Sequence, residues 1–138
     1  MKHEILVYNK TRKRVSEKFI KIVILRTLTL LKPKQPVELA VLVVDKEEIK
    51  RLNKIWRKVN KTPDELSFGL NSRQMVKFVK GLHGMLSLGE IIINAEKISD
   101  KNYLSKILVH SLLHLLGHSH GQMKGLENKI LKSLEIRN

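Results

Sequence analysis

Residues 104–120 read LSKILVHSLLHLLGHSH. Between Ile107 and Leu116 this segment is apolar on nearly every side, which predicts a helix that lies in the centre of the fold. Ser99 or Asp100 can cap the start of this helix, and Gly117 is a residue type that commonly ends one. The other elements are therefore expected to pack around it.

Strands and helices alternate early in the chain, and helices dominate its end. Short segments rich in branched residues predict strands at Ile5–Tyr8, Val37–Val44, Leu66–Leu70 and Leu88–Asn94. Helical spacing predicts further helices over Val15–Leu31, from Asp45 to near Lys58, and from Met123 to Leu134. The order predicts an α+β fold in which a small, mostly parallel or mixed sheet of about four strands packs with helices.

Three local features of the sequence concern the second predicted helix and the segment that follows the third predicted strand. Asp45 and Glu48 have the spacing of a capping box at a helix start. Trp56 follows the apolar spacing of Ile49 and Leu52, so we expect it in the core rather than stacked on a base. The stretch Asn71–Ser87 has no readable pattern.

Composition limits the class of protein. The chain has 138 residues, of which 42% are hydrophobic, and we expect residues 1–138 to form a single domain. The formal charge of +14 predicts attraction to polyanions, nucleic acid above all. Cysteine is absent, which excludes a disulfide framework and thiol catalysis. We find no signal peptide or membrane span and expect a cytoplasmic protein, whose oligomeric state stays open.

Histidine spacing points to a metal site. His110 and His114 lie one turn apart on the same helical face, and Gly117 lets the chain turn so that His120 can reach the same point. Three imidazoles leave one position of a tetrahedral Zn²⁺ open, which is typical of a catalytic site. His118 is expected in an exposed turn or as a hydrogen-bond donor to the site, and His3 and His83 at the surface.

Other interpretations of the same residues remain open. Histidines on an apolar helix are often core residues, but burying several unpaired imidazoles would cost several kcal/mol. The spacing also matches a metalloprotease motif that has Glu, the general base, where this chain has Ser111. A metal-dependent protease without that base is therefore one alternative. A non-catalytic module that binds RNA or the ribosome through its charge is another.

The residues around the histidines resemble the YbeY family of bacterial single-strand-specific endoribonucleases. The family's His-Gly-x-Leu-His-Leu-x-Gly-Tyr-Asp-His segment is similar to residues 110–120. Further similar pieces, between residues 52 and 136, are Leu52-Asn53, Trp56-Arg57, Asp64 with Leu66-Ser67-Phe68, Leu88-Gly89-Glu90-Ile91, Met123, Glu127 and Ile130-Leu131. Departures from the family pattern are Ser111, His118, Ser119, the order Thr62-Pro63 and the lack of acidic residues in Asn71–Ser87.

The resemblance implies what the protein does. It implies hydrolysis of RNA phosphodiesters in ribosomal RNA maturation and ribosome quality control, with RNA and the ribosome as partners. The metal would be one Zn²⁺ held by His110, His114 and His120, although imidazoles also bind other divalent transition metals. Arg57 matches the arginine that the family uses near its site and is the candidate catalytic residue. We assign no residue of the 110–120 segment as the general base.

Overall fold

The computed structural model describes residues 2–69, 84–118 and 120–135, and for His120, Gln122 and Glu135 it describes the backbone alone. The chain runs in the order β1 (Glu4–Asn9), α1 (Glu17–Leu31), β2 (Val37–Val44), α2 (Lys46–Leu52), β3 (Glu65–Gly69), β4 (Leu86–Asn94), α3 (Lys101–Leu115) and α4 (His120–Glu135). A π-helical turn, Asn53–Arg57, continues α2, and a 3₁₀ turn, Ala95–Lys97, follows β4. The predicted α+β class is confirmed.

The described strands form one mixed sheet in the order β1-β2-β4-β3. β1, β2 and β4 are parallel, and β3 runs antiparallel to β4 at the edge of the sheet. The β3–β4 register pairs Glu65 with Ile93 and Gly69 with Gly89. This edge strand lies against α3, so it brings the segment before Leu66 to the helix that carries the histidines.

Alternating side chains divide the core between the two faces of the sheet. Ile91 and Ile93 of β4 join the larger cluster, which also includes buried residues of α1, α3 and α4. Ile92 points the other way and packs with Ile49 of α2 and Leu66 of β3. Because successive strand residues face opposite sides of the sheet, the run of three isoleucines contributes to the core on both faces.

The helix α3 lies in the larger core, as its apolar sequence predicts. Asp100 is its N-cap, and its carboxylate accepts a hydrogen bond from the Tyr103 backbone N–H at 3.1 Å. At the other end, Gly117 N–H donates to His114 O at 3.0 Å and His118 N–H donates to Leu113 O at 3.2 Å. This bond pair is a Schellman motif, which requires the left-handed φ of +86° at Gly117.

Gly89 permits the close approach of β3 to β4. Its φ is +122°, and a Cβ at this position would collide with the carbonyl oxygen of Phe68. A glycine inside a strand often marks such an approach. The absence of a Cβ at Gly89 thus permits the β3–β4 pairing that places Glu65 beside α3.

Several local predictions were wrong. Asp45 is the N-cap of α2 but makes no side-chain cap bond, and the Glu48 carboxylate accepts a hydrogen bond from Arg51 Nε at 2.6 Å. Trp56 is not a core residue, since 66% of it is exposed. The π-helical turn places its ring on the surface, edge-on to Phe68 at 6.4 Å between centroids.

His3 is more than a surface residue. Its Nδ1 accepts a hydrogen bond from the Val37 backbone N–H at 2.9 Å, and burial lowers the pKa of its imidazole. Residues 71–83 of the unreadable stretch, including His83, lie outside the described residues, as does Leu70. Within the described ranges, no helix is both long and apolar enough to cross a membrane.

Candidate active site

Two of the three predicted ligands meet at one cavity. His110 and His114 lie on successive turns of α3, His110 half-buried and His114 exposed, while the residues around them are buried. They open into a cavity of about 230 Å³. The described residues that line it are Arg57, Glu65, Leu66, Ser67, His110 and His114.

Glu127 of α4 orients His110. The distance from His110 Nδ1 to Glu127 Oε2 is 3.1 Å, and only 12% of the Glu127 side chain is exposed. An ionised carboxylate can only accept hydrogen bonds. The Nδ1 atom of His110 therefore carries the proton and donates the hydrogen bond to Glu127. The lone pair of the imidazole is then on Nε2. A metal-binding histidine typically has this arrangement, in which a carboxylate fixes the tautomer.

Arg57 enters the cavity from the π-helical turn. Its Nη2 donates to the Ser67 carbonyl oxygen at 2.6 Å, and its Cζ lies 4.9 Å from the centre of the Phe68 ring. Both contacts are made with β3. The hydrogen bond and the ring together hold the guanidinium at the cavity, where its remaining donors can meet an anion.

Glu65 is a further candidate site residue, which the sequence patterns did not predict. It lines the cavity, and its Oε2 accepts a hydrogen bond from Ser111 Oγ at 2.8 Å. Ser111 is itself buried in α3. A buried serine in an apolar helix needs a hydrogen-bond partner, which was the available signal. The sequence alone could not identify this partner, since it depends on how β3 packs on α3.

The third predicted ligand, His120, is the first residue of α4. Its side chain lies outside the part of the chain that the structure describes, as does Ser119. Among the described residues, no three His, Cys, Asp or Glu side chains are grouped so that they could hold an ion. His118 is half-buried in the turn, with its Nδ1 3.3 Å from the Leu113 carbonyl oxygen.

Asp64 does not line the cavity but joins β3 to the start of α3. Its Oδ2 accepts a hydrogen bond from the Tyr103 hydroxyl, which raises the pKa of the phenol, and its Oδ1 lies 3.7 Å from Lys97 Nζ. Asp64 O also accepts from the Asn94 backbone N–H at 2.9 Å. These contacts position the strand that carries Glu65.

Comparison with known proteins identifies the family. The family model described as Endoribonuclease YbeY matches residues 6–137. An Endoribonuclease YbeY from Nitratiruptor is 35% identical over 75% of this chain and 76% of its own length, and one from Caldicellulosiruptor bescii is 30% identical over 86% and 87%. The solution structure of TM1509 from Thermotoga maritima shares the fold, with a TM-score of 0.57, 20% identity and coverage of 93% of this chain and 87% of that one. The chain therefore belongs to the YbeY family of endoribonucleases.

Proposed function

We propose that this endoribonuclease hydrolyses single-stranded RNA at the cavity between α3 and β3, in the maturation and quality control of ribosomal RNA. The observation that carries the proposal is the convergence of Arg57 with His110 and His114 on one cavity in a chain of this family. Imidazoles suit a divalent metal and a guanidinium suits a phosphate, and phosphodiester cleavage uses both. We place this activity in one domain in the cytoplasm.

The residues present fit a metal. His110, His114 and His120 would hold it, and Zn²⁺ is the ion we propose, because neutral imidazoles are among its preferred ligands. The contact with Glu127 supports this assignment, since it leaves the Nε2 lone pair of His110 available. When bound, such an ion supplies positive charge that activates water and polarises phosphoryl oxygens.

Arg57 would stabilise the charge that develops on the phosphate. During attack on phosphorus, negative charge accumulates on the nonbridging phosphate oxygens. A fixed cation beside them lowers the barrier. A guanidinium held by the Ser67 carbonyl and the Phe68 ring needs little reorganisation to play this role. The proposal assigns to Arg57 the binding and orientation of phosphate, and to the histidines the binding of metal.

The excess of basic residues supports an RNA substrate, for which we propose the ribosome as the source. Lys54 and Lys58 are exposed on either side of Arg57, and Lys61 is exposed in the loop that follows. RNA binding to such a surface displaces counterions, so its affinity should fall steeply as salt increases. An affinity that is insensitive to salt would contradict this part of the proposal.

The test is a cleavage assay on labelled RNA. Wild-type protein purified without an affinity tag should cleave single-stranded RNA, leave duplex RNA and a peptide substrate intact, and stop when a chelator removes the metal. His114→Ala should lose both metal and cleavage, whereas His3→Asn, at the far edge of the sheet, should retain both. Peptide cleavage without RNA cleavage would indicate the protease alternative. RNA binding without cleavage, indifferent to chelator, would indicate a non-catalytic module.

Arg57→Ala separates phosphate binding from metal binding in the same assay. It should retain metal and lower kcat/KM by about 10²-fold, a typical loss for one stabilising donor. Arg51→Ala removes an exposed arginine of α2 whose partner is Glu48, and it should cleave at the wild-type rate. Equal activity of the two variants would exclude the role of Arg57.

A further inference from the structure

The histidine motif, residues 110–120, contains no carboxylate, but the neighbouring strand β3 supplies one. Ser111 follows the first histidine, at the position where metalloproteases with this histidine spacing carry a general-base Glu. The Ser111 hydroxyl donates to the carboxylate of Glu65, with 2.8 Å between Oγ and Oε2. The acid therefore lies beside the motif position at which such enzymes hold their proton acceptor, although it comes from a different part of the chain.

Glu65 faces the same space as the other candidate site residues. It is the first residue of β3, is half-buried, and lines the cavity with Arg57, His110 and His114. Its strand is placed by antiparallel pairing with β4, in which Glu65 lies opposite Ile93. A carboxylate on a paired strand is held more precisely than one on a loop.

Ser111 holds one oxygen of the Glu65 carboxylate. The hydroxyl occupies Oε2, while a carboxylate offers acceptor sites on both oxygens. Because this bond already uses an acceptor site of Oε2, Oε1 is the oxygen with more capacity to accept a proton. Ser111 is in this sense a positioning residue, since it acts through Glu65.

We infer that Glu65 is the general base of the reaction, an inference that rests on the proposed function. Glu65 Oε1 takes the proton of the attacking hydroxyl as its oxygen forms a bond to phosphorus. The bond from phosphorus to the leaving oxygen breaks, and that oxygen keeps the electron pair and takes a proton from solvent. The balance is the same whether the attacking hydroxyl belongs to water or to the ribose, so the inference does not depend on which one attacks.

Glu65→Gln is the decisive variant. The glutamine carbonyl can still accept from Ser111, but an amide does not take up a proton near neutral pH. We expect kcat to fall by at least about 10²-fold, the usual contribution of a general base. Metal per chain, the affinity for single-stranded RNA and the melting temperature should stay at wild-type values. Glu38→Gln is the matched control, because Glu38 of β2 also accepts from a serine, Ser87 Oγ at 3.0 Å, and does not line the cavity.

Two further measurements separate a base from a purely structural acid. Added formate should restore cleavage at least about 10-fold in Glu65→Ala, because a small carboxylate can replace the missing one, and should not stimulate Glu38→Ala. Ser111→Ala should lower kcat by less than Glu65→Gln, and combining them should cause little further loss, as expected for residues that act together.

Defined results would overturn the inference. Wild-type cleavage by Glu65→Gln would exclude the role, as would the absence of formate rescue in Glu65→Ala. Loss of metal together with cleavage would make Glu65 a ligand or a structural support instead. Failure of the wild-type protein to cleave RNA would instead reject the proposed function, which keeps the two failures distinct.

Discussion

The His110 imidazole on α3 is joined to the Glu127 carboxylate on α4, with 3.1 Å between Nδ1 and Oε2. The bond connects two helices on either side of the turn at Gly117. It fixes the ring orientation of His110 and the nitrogen that carries the proton. Glu127 is therefore predicted to affect metal binding without binding the metal itself.

Glu127→Ala should weaken metal binding by about 10- to 100-fold, the usual effect of losing a carboxylate that supports a metal-binding histidine. Competition with a chromophoric chelator measures this affinity directly. Asn128→Ala changes the next residue of α4, which is exposed, and should bind metal like the wild type. Equal affinities for the two variants would show that Glu127 does not support the site.

Trp56→Ala should reduce the affinity for single-stranded RNA on the order of 10-fold, since stacking of a base on an aromatic ring contributes about 1–3 kcal/mol. The exposed indole lies beside Arg57 on the same π-helical turn, close to where the substrate phosphate is proposed to bind. Fluorescence anisotropy of labelled RNA measures the change. Trp56→Phe should retain most of the affinity and Ile55→Ala should change it little, so an equal loss in all three variants would argue against stacking.

Gly117→Ala should lower the free energy of unfolding by about 1–2 kcal/mol, because an L side chain is strained in the left-handed conformation. The φ of Gly117 is +86°, and its N–H completes the Schellman motif with His114 O. Urea denaturation measures the effect. Gly125→Ala is the control, since Gly125 lies inside α4 with open space at its Cβ position, and there alanine should stabilise the helix by up to about 1 kcal/mol.

His3 should contribute to the pH dependence of stability. Burial lowers the pKa of His3 in the folded protein below its ordinary value of 6.5. The unfolded chain therefore binds the proton first as pH falls. The contribution of His3 is complete above pH 6.5 and decreases as the pH falls from there through the folded pKa. Denaturation at several pH values should show a weaker acid dependence in His3→Asn, and an unchanged slope would contradict this assignment.

Much of the fold follows from local sequence patterns. The strand Val37–Val44 has the predicted bounds, and α3 begins after Asp100 and ends before Gly117, because branched runs, caps and glycines act on their immediate neighbours. The prediction for Trp56 was wrong because helical spacing assumed 3.6 residues per turn. The π-helical turn departs from this spacing and places the ring on the surface.

For the candidate site, the sequence by itself determined the facing pair His110 and His114, since residues four apart on a helix share a face through local geometry. Only the tertiary structure decided that Glu65 meets Ser111, from which it is separated by 46 residues, and that Glu127 meets His110. The first contact depends on the strand register, in which a slip of one residue would turn Glu65 to the other face of the sheet. The second depends on the packing of α4 against α3. Both are properties of elements brought together by a shared core, so no local pattern encodes them.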